Sequence, residues 1–307
     1  GGQSLDHCLS SSDICKMTQK TFIPFGGQAI YTPAIEDARV MVLPVYYEVA
    51  PSYGSGAGEG PYHLLNASVE LECLDEETLV DWRKLGIHTL DGLVPPEAPE
   101  QAVQVIAESA GKHLLPEKFL LSVGGDHAIT IGLAKAVADK YPDVGVLQID
   151  AHLDLRNEWN GSPYNHACVM RRIGEDLRLP FMQVGIRSFC PEEFDYIKAH
   201  HLYPFYAHNL NPADNSWMDD VVYALPDNVY LTIDLDGLDP AIMPGTGTPV
   251  PGGLTYRQVV ELIKRVGAEK NVVAADINEL AKVEGSVVSE FTAAKLATKL
   301  FVYCVSS

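Results

Sequence analysis

The feature that most constrains this chain is an alternation of short apolar runs with amphipathic stretches. Runs at 38–47, 119–124, 144–150, 181–187, 229–235 and 272–277 are rich in Val, Ile, Leu and Tyr. Several carry no polar alternation, so they must be covered on both faces, as strands of a parallel sheet are. Helical periodicity falls near 98–113, 128–140, 191–200, 256–267 and 288–299. Thr255 and Gln258 form a T-x-x-Q capping box at the start of one of these helices. The spacing predicts an α/β fold with a mainly parallel central sheet. Residues 1–36 show no firm period and include Ser10-Ser11-Ser12; they read as an N-terminal arm. No repeat, linker or change of composition divides 37–307, which reads as a single domain.

Composition narrows the function. Of 307 residues, 47% are apolar and 21% charged, which supports a buried core and excludes extensive disorder. No apolar run is long enough to span a membrane. Lys and Arg number 22 against 41 Asp and Glu, a formal charge of −19. Such a surface repels nucleic acid and suits cationic substrates or metal ions, although acidity also serves solubility. Cys8, Cys15, Cys73, Cys168, Cys190 and Cys304 are dispersed without Cys-x-x-Cys, as expected for reduced thiols in the cytoplasm. Cys8 and Cys15 beside His7 have the wrong spacing and ligand count for zinc. The first residues carry Asp6 and Asp13 and lack an apolar stretch, so a secretory leader is not expected; Gly1-Gly2 reads as a cloning or cleavage scar.

Three segments concentrate the chemistry, each after an expected strand: Gly124-Gly125-Asp126-His127, Asp150-Ala151-His152-Leu153-Asp154, and Asp234-Leu235-Asp236. Ligands of open α/β sheets bind beyond the carboxyl ends of strands, where these clusters fall. In extended backbone, residues i, i+2 and i+4 share a side, so Asp150, His152 and Asp154 should converge. Packed carboxylates are costly to bury, and divalent cations remove that cost. Two ions would balance the four carboxylates, with His127 and His152 as further ligands. Taken singly, each Asp would pass for a helix cap or loop residue; six such residues at three strand ends point to metal. A mixed oxygen and nitrogen set without thiolate suits Mn²⁺ best, ahead of Ni²⁺, Co²⁺ or Fe²⁺, with Zn²⁺ least favoured.

These motifs, with the run from Asp234 through Pro240 to Gly245-Thr246-Gly247-Thr248-Pro249, resemble the ureohydrolase family of arginases and agmatinases. Ser52-Tyr53-Gly54 through Gly60-Pro61 is similar to that family's glycine loop at the mouth of the site. The resemblance runs from about Pro44 to the C-terminus and implies a three-layer α/β/α fold, a dinuclear manganese centre and hydrolysis of a guanidino compound to urea. It implies His127 and Asp154 on one metal, His152 and Asp236 on the other, and Asp150 and Asp234 bridging. It matches His166 to a proton-shuttling histidine and Glu279 to a glutamate that grips the guanidinium. Asn278 stands where the family usually has an apolar residue, and the proline expected shortly after Glu279 is missing. Relatives form trimers or hexamers, so a homo-oligomer is expected.

The chemistry is coherent for these residues. Two metal ions can lower the pKa of a shared water from ~16 toward ~7. Glu279 would orient the guanidinium by charge-assisted hydrogen bonds, and His166 would protonate the departing amine. The stretch from Asp154 to Arg172 looks more like agmatinases than arginases, which makes agmatine the expected substrate. Arg156 and Glu158 are candidate substrate contacts, Glu158 for a free amine. Guanidinobutyrate, guanidine and arginine are alternatives with the same mechanism. Two other classes stay open: a single-Zn²⁺ deacylase of acylated amines, and a metal-binding relative without activity. No G-x-G-x-x-G or G-x-x-x-x-G-K supports nucleotide binding. Cys168 and Cys190 read as inert thiols, Arg187 as structural, and Tyr46, Tyr47 and Tyr53 as pocket or packing residues.

Overall fold

The structure, a computed structural model, describes residues 22–305; Cys8, Cys15 and most of the expected arm lie outside them. Eight strands form one sheet: β1 (Val40–Pro44), β2 (Ile87–Thr89), β3 (Phe119–Val123), β4 (Val144–Ile149), β5 (Phe181–Ile186), β6 (Phe205–Tyr206), β7 (Asn228–Asp234) and β8 (Asn271–Asn278). Their order is β2-β1-β3-β8-β7-β4-β5-β6, and every pairing is parallel. The sheet is thus wholly rather than mainly parallel.

Strand alternation sorts the apolar side chains into two cores, one per face. Val40, Val42, Leu121, Ile149 and Leu231 pack with the helices Gly60–Ser68, Tyr256–Glu269 and Val288–Cys304. Met41, Leu43, Leu120, Val146 and Tyr230 pack with Pro99–Gly111, Ile129–Lys140 and Val169–Glu175. Three layers result, as the apolar runs require. Strands β1 to β3 fill one side of the sheet in the order β2-β1-β3, β4 to β6 fill the other in chain order, and β8 and β7 are inserted between. The carboxyl ends of β3, β8, β7 and β4 therefore flank a topological switch point, the usual place for a ligand crevice.

The capping box forms: Gln258 N donates to Thr255 Oγ1 (3.2 Å) and Thr255 N to Gln258 Oε1 (3.0 Å). The edge strands β2 and β6 and the helices Gly60–Ser68, Val169–Glu175 and Trp217–Ala224 lie outside the expected elements; the two strands are too short to display a period. Within 22–36, Phe25 is buried edge-on against Trp82 and Phe301, so this stretch contributes to the core. No helix among the described residues is long and apolar enough to cross a membrane.

Candidate metal centre and active site

Each segment reaches the crevice by a different local device. After β3 the chain runs so close to its neighbours that a Cβ on Gly125 would lie 1.8 Å from Tyr47 O. Asp126 then braces the turn, accepting from Val49 N (2.8 Å) and Ala128 N (3.0 Å), and His127 is delivered to the floor, 1% exposed. After β7, Asp236 N donates to Asp234 Oδ1 (2.8 Å), winding Leu235–Gly237 into a 3-10 turn that brings the two carboxylates together.

The β4 segment corrects the expectation of an extended strand. β4 stops at Ile149, and Asp154 takes a left-handed backbone with φ 51°. His152 N donates to Asp150 Oδ1 (2.6 Å), and the Asp154 carbonyl accepts from Met170 and Arg171 N–H at the start of Val169–Glu175. Asp150, His152 and Asp154 do converge, but through a turn pinned by hydrogen bonds and not through strand alternation.

All six expected ligands meet. His127 Nδ1 lies 2.9 Å from Asp154 Oδ2, 3.1 Å from Asp150 Oδ2 and 3.5 Å from Asp234 Oδ2. His152 Nδ1 lies 3.0 Å from Asp236 Oδ2 and 3.5 Å from Asp150 Oδ1. Two ligand groups result, His127/Asp150/Asp234 and Asp150/His152/Asp236, sharing Asp150. Burial, reinforced by Asp150, pushes the Asp154 carboxyl up to about 7. Burial together with Asp236 and Asp150 raises Asp234 well above the ordinary range. Burial opposes a charge on His127, yet hydrogen bonds to Asp150 and Asp154 outweigh it and hold its imidazole protonated well above the usual value. Several carboxylate oxygens facing one ring nitrogen demand positive charge between them, and the oxygen and nitrogen donor set fits two divalent cations.

Uncharged residues that sequence reasoning missed hold these ligands. Gln148 Nε2 donates to Asp150 Oδ2 (2.7 Å), and Gln183 Nε2 donates to Gln148 Oε1 (2.6 Å). Thr248 Oγ1 donates to Asp236 Oδ2 (3.1 Å), and Thr232 Oγ1 meets His127 Nε2 (2.8 Å). The available signal was a polar residue inside an otherwise apolar strand, as with Gln148 and Thr232. Arg187 donates to the carbonyls of Asp236, Leu238 and Val250, the structural role expected of it.

Above the ligands opens a cleft of about 310 Å³. Glu279 lies on its floor, tied by His127 N to its Oε1 (2.7 Å), with a left-handed φ of 66°. Burial, then the neighbouring Asp126, raises its pKa well above the ordinary value, so a cation would be welcome beside it. His166 lines the wall, Nε2 2.7 Å from Ser52 Oγ. Burial, with the charges of His127 and His152, lowers its pKa to about 4. Ser52 belongs to the glycine loop, which Glu48 organises by accepting from Gly56, Ala57 and Gly58 N–H. Arg156 lines the cleft with its guanidinium 4.3 Å from the Trp159 ring centroid. Glu158 is exposed and is not among the residues lining the cleft, because the loop turns it outward after Arg156. Tyr53 lines the rim, whereas Tyr47 is buried and Tyr46 packs against Gly92. Cys168 is buried, its thiol pushed up to about 12 by burial, which makes it inert.

The Arginase family profile matches residues 38–302. The chain belongs to the arginase family. It is 41% identical over 276 residues to an N(1)-aminopropylagmatine ureohydrolase of Synechocystis sp., covering 87% of this chain and 89% of that protein. It is 32% identical over 273 residues to an agmatinase of Pyrococcus horikoshii, covering 86% and 92%. The solved agmatine ureohydrolase of Thermoplasma volcanium superposes with a TM-score of 0.84 at 27% identity, covering 95% of this chain and 97% of that one. This arginase-family protein is therefore a ureohydrolase, a hydrolase of amidine C–N bonds. The family depends on a dinuclear metal centre, and the two ligand groups sharing Asp150 are this ureohydrolase's candidates for it.

Proposed function

We propose that this ureohydrolase cleaves a guanidino-amine, N(1)-aminopropylagmatine in preference to agmatine, to urea and the corresponding polyamine, with two Mn²⁺ ions as cofactor. The observation that carries the reaction is a half-buried carboxylate, Glu279, fixed beside the converging His and Asp side chains on the floor of the cleft. The longer substrate is favoured over agmatine by the 41% identity to a relative of that name. His127, Asp150, Asp154 and Asp234 would hold one ion and Asp150, His152, Asp234 and Asp236 the other. Such a pair, when bound, supplies water activated at neutral pH.

The chain's own groups do the rest. With Oε1 tied to His127 N–H, Glu279 offers its remaining acceptor capacity to guanidinium N–H groups and aims the planar carbon at the ligand cluster. The oxygen of water adds to that carbon, and the bond from carbon to the alkyl-bearing nitrogen breaks. Urea keeps the other two nitrogens and the oxygen. The departing nitrogen needs a proton. His166, neutral at neutral pH, takes one at a ring nitrogen and passes it on, while Ser52 holds the ring. A homo-oligomer, trimeric or hexameric, and a cytoplasmic location complete the proposal.

A second reading rests on Arg156, whose guanidinium in the cleft would pair with a carboxylate tail such as that of guanidinobutyrate. The test is kcat/KM for urea release by the Mn²⁺-loaded protein from N(1)-aminopropylagmatine, agmatine, arginine and guanidinobutyrate in parallel. The first should lead. A lead for guanidinobutyrate would overturn the polyamine assignment in favour of the Arg156 reading.

A further inference from the structure

Asn278, polar where the resemblance leads one to expect an apolar residue, sits fully buried at the end of β8 beneath the candidate metal ligands. Its Nδ2 donates to Asp276 Oδ1 and to Thr130 Oγ1 (3.1 Å). Its Oδ1 has no partner and faces Gly124, where a Cβ would lie only 2.0 Å away. Turning the amide over would set that oxygen against the Asp276 carboxylate, so the orientation is determined. Asp276, 0% exposed, also accepts from Thr232 Oγ1 (2.6 Å), Thr130 Oγ1 (3.1 Å) and the Tyr230 hydroxyl. Two donors reach each carboxylate oxygen, which is the full set an acceptor-only group takes in this place.

The consequence passes upward through Thr232. Its hydroxyl proton is committed to Asp276, so toward His127 Nε2 at 2.8 Å it can only accept. Nε2 therefore carries a proton, and Nδ1 is the nitrogen turned to Asp150, Asp154 and Asp234. We propose that Asn278 and Asp276 are positioning residues that lock His127, through Thr232, with Nδ1 toward the carboxylates, and so set the affinity of the His127 half of the metal centre. The inference rests on the dinuclear-metal reading but not on the substrate. Hydrogen-bonded partners behind a ligating histidine fix its tautomer and ring orientation, and removing them weakens metal binding by about 10- to 100-fold.

The experiment is a titration of the metal-stripped full chain with Mn²⁺ against a competing chelator, without substrate, for wild type, Asn278→Leu, Thr232→Val and Thr232→Ser. Asn278→Leu and Thr232→Val should each weaken one of the two Mn²⁺ affinities about tenfold or more, leaving the other within about twofold. Thr232→Ser, which keeps the hydroxyl, should restore it. Thr232→Val keeps the side-chain shape, so it carries the test if Asn278→Leu lowers the Tm of the stripped protein. Unchanged affinities in both variants would overturn the proposal. So would an equal loss at both sites together with a fall in the Tm of Thr232→Val, the mark of a merely structural role. Because no substrate is present, a failure here is separate from any failure to release urea. Wild-type protein that binds no Mn²⁺ would instead sink the metal-centre reading itself.

Discussion

Glu279 and Asp154 both hold left-handed backbone that costs a non-glycine residue energy, and both stand at the site. Such strain persists where surrounding contacts over-determine it; here Glu279 N donates to Gly125 O (2.8 Å) and Glu279 Oε1 accepts from His127 N. Glu279→Gln keeps the shape but loses the charge, so kcat/KM should fall by about 10- to 100-fold, the worth of a hydrogen bond to a charged group; steady-state urea release measures it. His166 gives a pH signature. Its folded pKa of about 4 lies below the ordinary histidine value of ~6.5. Between those values the unfolded chain binds more protons, so this group destabilises the fold as pH falls from about 6.5 to 4 and has no such effect above. His166→Asn should therefore gain Tm relative to wild type across that window, with a constant difference above pH 7. A flat difference throughout would show that the ring is not held neutral. The convergence of the charged candidates was legible in the sequence because carboxylates and imidazoles clustered at strand ends have few other uses. The contacts of Ser52, Gln183 and Thr248 were not, because an uncharged polar residue has many innocuous places. The outward direction of Glu158 was not legible either, because spacing alone does not say which way a loop turns.

At the scale of elements, the glycine pair after β3 is the part least tolerant of change. A methyl at Gly125 would overlap Tyr47 O, and Tyr47 O also accepts from Asp126 N (2.8 Å), so the turn cannot simply shift. Gly125→Ala should cost about 1–3 kcal/mol or more through overpacking, read by chemical denaturation, and should weaken Mn²⁺ binding by displacing His127. Full stability with intact metal binding would contradict this account of the turn. The long central strands were readable because burial on both faces suppresses polar alternation. β2 and β6 have only three and two residues, and their pairing comes from neighbours distant in sequence, which local pattern does not carry. The left-handed turn at Asp154 was hidden for the same reason, since the bonds that hold it come from the helix Val169–Glu175.

The whole molecule is tied together across its ends. Phe25 packs between Trp82 and Phe301 of the last helix, and Lys299 of that helix is wholly buried in an ion pair with Asp75. Phe25→Ala should destabilise the protein by about 3–5 kcal/mol, seen in equilibrium unfolding, although Phe25 lies far along the chain from its partners. A negligible change would show that 22–36 packs without contributing to stability. The sheet's switch point then explains why one crevice receives residues from 127, 154, 234 and 279: the four central strands end there. The measurement that bears most directly on the function is the fate of the guanidino nitrogen when Mn²⁺-loaded protein consumes N(1)-aminopropylagmatine or agmatine. Urea and polyamine should appear in equal amounts, and chelation of the metal should stop both. Ammonia with a carbamoyl product, or turnover indifferent to chelation, would contradict the account.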